Sequence, residues 1–591
     1  MVHTEQPTTH HLSPAQTARR ILRATGALML VQIVLRGFGF IEKRILALFF
    51  GTGHLADAYN AAREIAMYLF QFCDQVIMHS FLPVFVARIR ERGEQDAWRL
   101  ASTTINLIIL LTGTIAVLGI IFTPEILPWF IPGWFAELEH TVADAHTPAF
   151  IARIDGLMEL IRVTVMLTRV MLVAMVFLTS SSLTYCLLNS YKQFALPASA
   201  DLALKGIVLV FAVLFVGVWG PLALAAGFVC GAFAKITVHA LGLSRRFLNY
   251  RPVIDVKHPG LKQFALLALP LLASGAFSIF RQSMDIRYTS ALTEGSLSAL
   301  KYAKTLCDLP VQFFPYAFGI ALFPFLADIA VSGDKERLRG MLMSATRMMI
   351  LIFVPLAVAF VVMRFAIING LFGGGEFTAD SAELTVGPLQ IYSAAMLTGA
   401  LEIIVLQFFF ALSDTLRPAI IGIILVPLHV SLSYLGTQQW HLEAMGIALA
   451  FFIVRAMKVT VLYIMIRQKL HSLEGARTLA FLGRILVAMV PFVAILWLGT
   501  WILPHLLPAP GEITGNGRMQ EIMLKLLALV PFLVLGLIGM AGYLYALYLL
   551  RVDEVNLLVQ RVRGKVARKK TAEPDEAPSL SHSDDSGGSV V

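Results

Sequence analysis

Charged side chains lie inside four hydrophobic segments of this sequence, near residues 24–50, 59–86, 263–291 and 297–327. Eight of them are basic: Arg36, Lys43, Arg44, Arg63, Arg281, Arg287, Lys301 and Lys304. Five are acidic: Glu42, Glu64, Asp74, Asp285 and Asp308. Because an ionised group at the centre of a membrane helix costs about 2.5–3.5 kcal/mol on insertion scales, such groups rarely face lipid. We expect them to share a water-filled or paired interior, and the excess of basic groups favours an anionic ligand.

The spacing of these residues places several of them on common helix faces. Arg36 and Lys43 are seven residues apart, and Lys301, Lys304 and Asp308 follow an i, i+3, i+7 pattern. Residues at such intervals lie on one side of a helix. Arg36 has no acidic residue one turn away to neutralise it. These faces predict a site for an anion, because Arg and Lys donate charge-assisted hydrogen bonds.

Ion pairing offers a second interpretation of part of the set. Arg281 with Asp285, and Lys304 with Asp308, are i, i+4 pairs that could simply lock neighbouring helices together. This interpretation does not extend to all the charges, since the basic residues outnumber the acidic ones. Glu402, isolated in a later segment, is a further candidate for a cation or proton site.

The composition is that of a protein that crosses a membrane many times. Of its 591 residues, 57% are hydrophobic and only 14% are charged, with a mean hydropathy of +0.75, whereas about 25% are charged in soluble domains. The remaining basic residues fall in short loops, where they orient a membrane protein, so the net charge of +9 does not indicate a nucleic-acid partner. The four cysteines lack the spacing of a zinc or disulfide site, and the sequence predicts no metal and no cofactor.

On a scale of about 20 apolar residues per bilayer crossing, the sequence predicts fourteen membrane spans. After the first two they lie near 99–122, 159–188, 197–218, 220–243, 263–291, 297–327, 341–366, 384–412, 417–435, 442–466, 480–503 and 522–548. Loops rich in Lys and Arg alternate with neutral or acidic loops. This positive-inside pattern predicts that both termini are cytoplasmic.

Sequence features near the ends of spans 2 and 4 recur six spans later. FLPVF at 81–85 has its counterpart in LFPFL at 322–326, and LNSYK at 188–192 has its counterpart in ALSDT at 411–415. A shift of six spans preserves orientation, so spans 1–6 and 7–12 are predicted to be parallel repeats with the cargo site between them. The predicted domains are a cytoplasmic N-terminal segment (1–23), a first lobe (24–243), a second lobe (263–466), spans 13 and 14 (480–548) and a cytoplasmic tail (551–591), basic at first and then disordered.

Several short motifs occur in one order along spans 1–12. They are RGFGF at 36–40 with FGTG at 50–53 and Asp57-Ala58, then Leu188-Asn189 with Phe194 and Pro197, then Leu371-Phe372 with GEFTA at 375–379, then FALSDT at 410–415 with Pro418. On these motifs the chain resembles the MurJ/MviN lipid II flippases of the MOP exporter superfamily.

The resemblance implies an all-α fold of about fourteen membrane helices, in two lobes around a central cationic cavity, with helices 13 and 14 forming a groove for a lipid tail. It implies a transporter, not an enzyme, that moves undecaprenyl-diphosphate-linked peptidoglycan precursor from the inner to the outer leaflet of a bacterial inner membrane. The implied partners are the lipid-linked saccharide, membrane lipids and the cell-wall synthesis machinery. Arg36 and Asp57 match important family positions, and Asp74 matches a cavity acid. Asp57 thus joins the five acids as a candidate cavity or gating group.

Some positions depart from the family pattern. Glu42 stands where the family has a second arginine in span 1, and Leu69 and Phe70 stand where it has an arginine pair in span 2. A family Asp-Arg in span 8 reads Lys304-Thr305. Lys304 could replace that arginine as a point charge, without its bidentate fork. The coupling ion, H⁺ or Na⁺, or a role for the membrane potential, is left open by the sequence.

Other functions fit the sequence less well. An O-antigen or exopolysaccharide flippase of the same superfamily would also need a cationic cavity. A cation-coupled drug antiporter would favour acids there. A membrane enzyme would need a catalytic constellation, and the longest predicted loop, near 123–158, carries no obvious metal or nucleotide motif. A structural scaffold would not need so many charges within its spans.

Overall fold

A computed structural model describes residues 14–143, 148–193, 195–244, 246–470, 475–506, 524, 527–552 and 554–555. Most of the predicted N-terminal segment and nearly all of the predicted tail lie outside the described residues. The described chain is helical, and no strand occurs within it. We number its long helices in chain order: α1 Pro14–Phe50, α2 His54–Arg92, α3 Glu94–Ile121, α4 Pro148–Ser190, α5 Ala195–Trp219, α6 Pro221–Gly242, α7 Pro259–Thr289, α8 Ser296–Ser332, α9 Lys335–Val362, α10 Ala379–Ala411, α11 Leu416–Tyr434, α12 Ala444–Leu470, α13 Gly475–Leu506 and α14 Val530–Leu549.

These helices correspond one to one with the fourteen predicted spans. By length and composition, eleven of the described helices are apolar enough to cross a membrane. The other three, α1, α2 and α8, carry most of the charged residues identified from the sequence. Short helices occupy two of the connections, at Thr123–Phe130 and Pro132–Ala143 before α4 and at Arg364–Leu371 before α10.

Several helices extend beyond the membrane spans predicted from apolar length. The prolines at 83 and 324 do not end their helices, because α2 continues to Arg92 and α8 to Ser332. The two glycines that follow Arg36, at 37 and 39, lie within α1, which is continuous to Phe50. Polar helical turns extend these helices beyond their apolar cores, so apolar windows mark the membrane crossing rather than the helix ends.

Local signals explain where individual helices begin. Asp334 caps α9 by accepting a hydrogen bond from the Arg337 amide at 2.9 Å, and Thr378 caps α10 in the same way. Such side chains satisfy amides that have no partner within the helix. Gly333, with φ of +72°, ends α8 in the left-handed conformation that favours glycine.

Helix packing reveals the repeat. In the first lobe α2 packs on α4, α4 on α6, α5 on α6, α1 on α5 and α3 on α4. In the second lobe the equivalent pairs, six helices later, all pack: α8 on α10, α10 on α12, α11 on α12, α7 on α11 and α9 on α10. The two halves are therefore parallel six-helix repeats. α13 packs on α9 and α14 on α13, so the last two helices flank the second lobe.

Candidate functional site

The lobes meet at the end of the bundle where α1 gives way to α2, and Asp57 is the centre of this contact. Its Oδ2 accepts a hydrogen bond from the Gly295 amide at 2.9 Å, and its Oδ1 accepts from the Ser298 amide at 2.8 Å and hydroxyl at 2.5 Å. Asp57 is buried. A side chain of the first lobe thus caps the start of α8 in the second lobe, where a carboxylate also favours the helix dipole.

Three more contacts continue this interface, which we call the seam. Thr52 and Ser381 bring their hydroxyl oxygens within 2.9 Å. The Tyr302 hydroxyl donates to the Gly51 carbonyl at 2.7 Å. The amide of residue 376 donates to the carbonyl of residue 48 at 3.0 Å. Together with the Asp57 cap, these bonds close the space between the lobes at this end.

Two glycines allow the seam to close. Gly51 has φ of +56°, and a Cβ there would lie 2.2 Å from the Glu376 carbonyl oxygen. Gly375 has φ of +59°, and a Cβ there would lie 2.1 Å from the Leu48 carbonyl oxygen. Only glycine combines this backbone conformation with such close approach. The motifs at 50–53 and 375–379 thus supply the two backbones that meet here.

An outer contact lies beside the seam. The His54 amide donates to Glu294 Oε1 at 2.8 Å, and the His54 ring nitrogen Nδ1 lies 3.6 Å from the same oxygen. Together they lower the pKa of the Glu294 carboxyl, which lies in the loop between α7 and α8. The ring is also 3.7 Å from Glu159 of α4. This polar cluster ties the start of α2 to the second lobe.

Directly inside the seam is a cavity of about 310 Å³, which we call the central cavity. It lies between α1 and α2 of the first lobe and α7, α8, α10 and α12 of the second. Its charged lining residues are Lys43, Arg63, Arg281, Lys301, Lys304, Glu64, Asp285 and Asp308. Five of the eight basic residues singled out from the sequence therefore line this one cavity, where they outnumber the acidic residues.

One ion pair and one hydrogen bond join the lobes at this cavity, and its lining keeps more basic than acidic side chains. Lys301 of α8 binds Glu64 of α2. Lys43 donates to Asn60 at 2.5 Å, and Asn60 in turn donates to Ser298 of α8 at 3.0 Å. The lining is thus hydrogen-bonded from both lobes.

Both i, i+4 pairs noted in the sequence form in the structure. Lys304 lies 2.8 Å from Asp308, and Arg281 lies 3.2 Å from Asp285. Asp285 has a second partner that the sequence analysis missed, His429 of α11, at 2.7 Å. Both pairs nevertheless line the cavity, so pairing and exposure to a ligand are not alternatives here.

A second cavity, of about 510 Å³, opens beside the first and lies within the second lobe. We call it the second-lobe cavity. Arg281, Lys304, Asp308 and Phe451 line both cavities, so the two are adjacent compartments of one polar space. The sequence context of Glu402 predicted an isolated acid, and that prediction was wrong. Glu402 binds Arg455 and Lys458 of α12, each at 2.8 Å. The Arg455–Lys458 spacing of three residues was the signal that could have revealed this cluster.

The remaining charged residues singled out from the sequence are not among the lining residues of either cavity. Arg44 donates to the Gly373 carbonyl at 2.8 Å near the seam, and Arg287 donates to the Trp129 carbonyl at 2.7 Å. Asp74 accepts a hydrogen bond from Ser182 within the first lobe and does not line either described cavity.

Arg36 is exposed on α1 and has no hydrogen bond or ion pair within the described residues. Asp308, across from it on α8, acts on it electrostatically.

Glu42 is a structural anchor beneath the central cavity. It is 3% exposed and binds Arg63 at 2.7 Å, Lys205 at 3.4 Å and the Tyr59 hydroxyl at 2.9 Å. Lys205, on α5, was another residue that the sequence analysis did not single out. A single carboxylate at this position therefore pairs with two cations and holds Arg63 at the lining of the central cavity.

Replacing Glu42 with Leu is expected to destabilise the protein by about 3–5 kcal/mol, because the change strands two cations in a buried site. Thermal unfolding in detergent should show a clearly lowered midpoint, and Glu42→Gln, which keeps the shape and the Tyr59 contact, should fall between. Glu336→Leu is the matched control, since Glu336 is an exposed partner of Arg339 and such surface pairs contribute little. A Glu42→Leu protein that unfolds like wild type would show that Glu42 has no anchoring role.

Two parallel six-helix lobes, with a polar cavity between them and a closed seam at one end, are the fold of membrane transporters of the MOP type. Solved structures agree on this fold. A lipid II flippase MurJ in an inward closed conformation aligns with a TM-score of 0.65 and 17% identity, over 88% of this chain and 99% of that one. An inward-facing multidrug resistance MATE transporter aligns with a TM-score of 0.59 and 14% identity, over 75% of this chain and 96% of that one.

Sequence comparison specifies the family. The family model described as "Lipid II flippase MurJ" matches residues 46–508, and the chain belongs to the MurJ family. A probable lipid II flippase MurJ of Bdellovibrio bacteriovorus is 27% identical over 424 residues, covering 69% of this chain and 77% of the relative. The lipid II flippase MurJ of Burkholderia cenocepacia is 25% identical over 415 residues, covering 68% of this chain and 75% of the relative.

Proposed function

We propose that this protein is a lipid II flippase of the bacterial inner membrane, which moves a polyprenyl-diphosphate-linked saccharide from the inner to the outer leaflet. The observation that carries the proposal is the cationic wall of the central cavity, built from both lobes directly inside the seam. A diphosphate needs several cationic donors, and a site away from bulk water strengthens their attraction. The names of the sequence relatives support the same cargo.

The seam supports alternating access as the mechanism. Its bonds are made between lobes, through the Asp57 cap and the Thr52–Ser381 contact, so the lobes can separate there without breaking the packing inside either lobe. We infer that headgroups enter the central cavity from the opposite end while the seam is closed. The seam then opens as the lobes rock about the site, in the manner of repeat-built transporters.

The apolar tail of the cargo needs no polar path. An apolar groove of about 610 Å³ lies between α13 and α14, lined by side chains such as Leu498, Ile502, Val534 and Ile538. We propose that this groove holds part of the lipid tail while the headgroup occupies the cavity.

The proposal fixes an orientation for the chain. With both termini cytoplasmic, the seam faces the outer leaflet and the loop between α6 and α7 faces the cytoplasm. In a cysteine-free background, single cysteines at Leu248→Cys and Trp440→Cys should therefore label from opposite sides with an impermeant reagent. Both positions are exposed, so access alone does not distinguish them. Labelling of both from the outside would contradict the fourteen-span topology.

Transport in reconstituted vesicles tests the function directly. Purified protein should move fluorescent lipid II from the leaflet where it is placed to the other, and vesicles without protein should not. A neutral lipid without a diphosphate serves as the control cargo, since the cavity offers it no anionic group to bind. Failure to move lipid II, with movement of another lipid-linked oligosaccharide, would assign the protein to a different cargo.

The Lys304–Asp308 pair tests whether cavity charge binds cargo or only joins helices. Lys304→Met alone should lower stability by leaving the partly buried Asp308 without its partner. Lys304→Met combined with Asp308→Leu should restore expression, yet transport should stay low because the cavity has lost a cation. Recovery of both expression and transport in the double variant would mean that the pair is structural.

A further inference from the structure

The cluster of Glu402, Arg455 and Lys458 in the second-lobe cavity is not needed to hold a diphosphate in the central cavity. The two cations belong to α12 and the acid to α10, and all three side chains line the cavity. Two cations share one carboxylate, so the cluster keeps a net positive charge. Arg281 and Lys304 add further positive charge at the boundary with the central cavity.

The geometry of Arg455 leaves part of its guanidinium available. Its Nε donates to Glu402 Oε2 at 2.8 Å, and within the described residues its two terminal nitrogens make no hydrogen bond. Those terminal nitrogens are one edge of the planar fork with which arginine binds a carboxylate through two parallel bonds. Lys458 uses one of its three donors on Glu402 Oε1.

The rest of the wall suits a polar group. Gln312 and His429 line the cavity, and each keeps a buried polar atom, Oε1 and Nδ1, without a hydrogen-bond partner among the described residues. Phe451 separates this compartment from the central cavity and packs edge-on against Tyr392. Its ring offers an apolar face beside charged groups, a combination found in sites for polar organic ligands.

We propose that the second-lobe cavity binds a carboxylate of the cargo's headgroup, of the kind that an attached acidic peptide carries, through Arg455 and Lys458. This inference rests on the proposed function and specifies the cargo further. A headgroup with two separated anionic centres would place its diphosphate in the central cavity and its carboxylate in the second-lobe cavity. Glu402 holds the two cations in place when no headgroup is bound and competes with the incoming carboxylate.

The test uses two probes and purified protein in lipid nanodiscs. Both probes are polyprenyl-diphosphate disaccharides with the same attached peptide; in one the peptide carboxylates are free, and in the other all are amides. Wild-type protein should bind the acidic probe more tightly. Arg455→Gln should weaken binding of the acidic probe about tenfold, the loss expected for one charged hydrogen-bonded contact, and leave the amidated probe unchanged.

Glu402→Gln should have the opposite effect, because it removes the competing carboxylate: binding of the acidic probe should tighten several-fold. Opposite effects from two residues of one cluster cannot result from a general loss of folding. Arg347→Gln is the matched control, since Arg347 is another part-buried arginine paired with a glutamate, Glu554, and lines neither cavity. If Arg455→Gln does not fold, the triple variant Glu402→Gln/Arg455→Gln/Lys458→Gln removes the whole charged cluster together and should bind both probes equally.

Equal binding of the two probes by wild-type protein, or equal weakening of both by Arg455→Gln, would overturn the inference. Transport of the same probes in vesicles separates this outcome from failure of the proposed function. If wild-type protein prefers the acidic probe but moves neither probe, the flippase proposal fails and the carboxylate site stands. If it moves both without preference, the carboxylate site fails and the flippase proposal stands.

Discussion

Oxidation of a Thr52→Cys/Ser381→Cys variant is expected to stop transport almost completely, and reduction is expected to restore it. The two hydroxyl oxygens lie 2.9 Å apart across the seam, one in each lobe, so cysteines at these positions are close enough to join. A covalent bond there would hold the seam closed and prevent the cargo from leaving on that side. Transport into the opposite leaflet, measured before and after a reducing agent, checks the expectation.

The controls use the same chemistry without crossing the seam. The four native cysteines are first replaced, and each single-cysteine variant should be insensitive to oxidation. Thr293→Cys/Ser296→Cys is the matched pair, because its hydroxyl oxygens lie 3.1 Å apart within the second lobe. Its disulfide should leave transport unchanged. Undiminished transport by the crosslinked Thr52/Ser381 variant would show that the seam need not open.

Arg36→Ala is expected to reduce transport about tenfold to a hundredfold, the range that corresponds to loss of one charged hydrogen-bonded contact of about 1.5–3 kcal/mol. Arg36 is exposed on α1 and has no hydrogen bond or ion pair within the described residues, so its charge is available to a ligand. Arg36→Lys should be partly active, because lysine keeps the charge but lacks the fork that binds two phosphate oxygens together.

Measuring the stability of the Arg36→Ala variant distinguishes a binding role of Arg36 from a structural one. Because Arg36 is exposed and unpaired among the described residues, Arg36→Ala should express and unfold like wild type while transport falls. Arg417→Ala removes an exposed arginine at the start of α11, outside both cavities, and should change neither property. Normal transport by Arg36→Ala would place the phosphate site deeper, at the cations of the central cavity.

Glu402 illustrates why the candidate site was only partly predictable. From the sequence it was a lone acid in an apolar span, because Arg455 and Lys458 are more than fifty residues away. The same limit hid Lys205 beneath Glu42 and His429 beside Asp285. The charged residues in spans 5, 11 and 12 can be read directly from the sequence. Their partners cannot, because they depend on which helices pack together.

The sequence by itself determined the class, the number of helices, the repeat and the helix faces on which charges lie. Apolar length fixes a membrane span, and residue spacing fixes a helix face, so both are local properties. The tertiary structure alone decided which faces meet. It brought Lys43, Arg63 and Lys301 to the lining of one cavity, placed Asp57 at the start of α8, and kept Asp74 within the first lobe. Those outcomes depend on packing between segments distant in the chain, because the energy of a buried charge is set by the partner that packing brings to it.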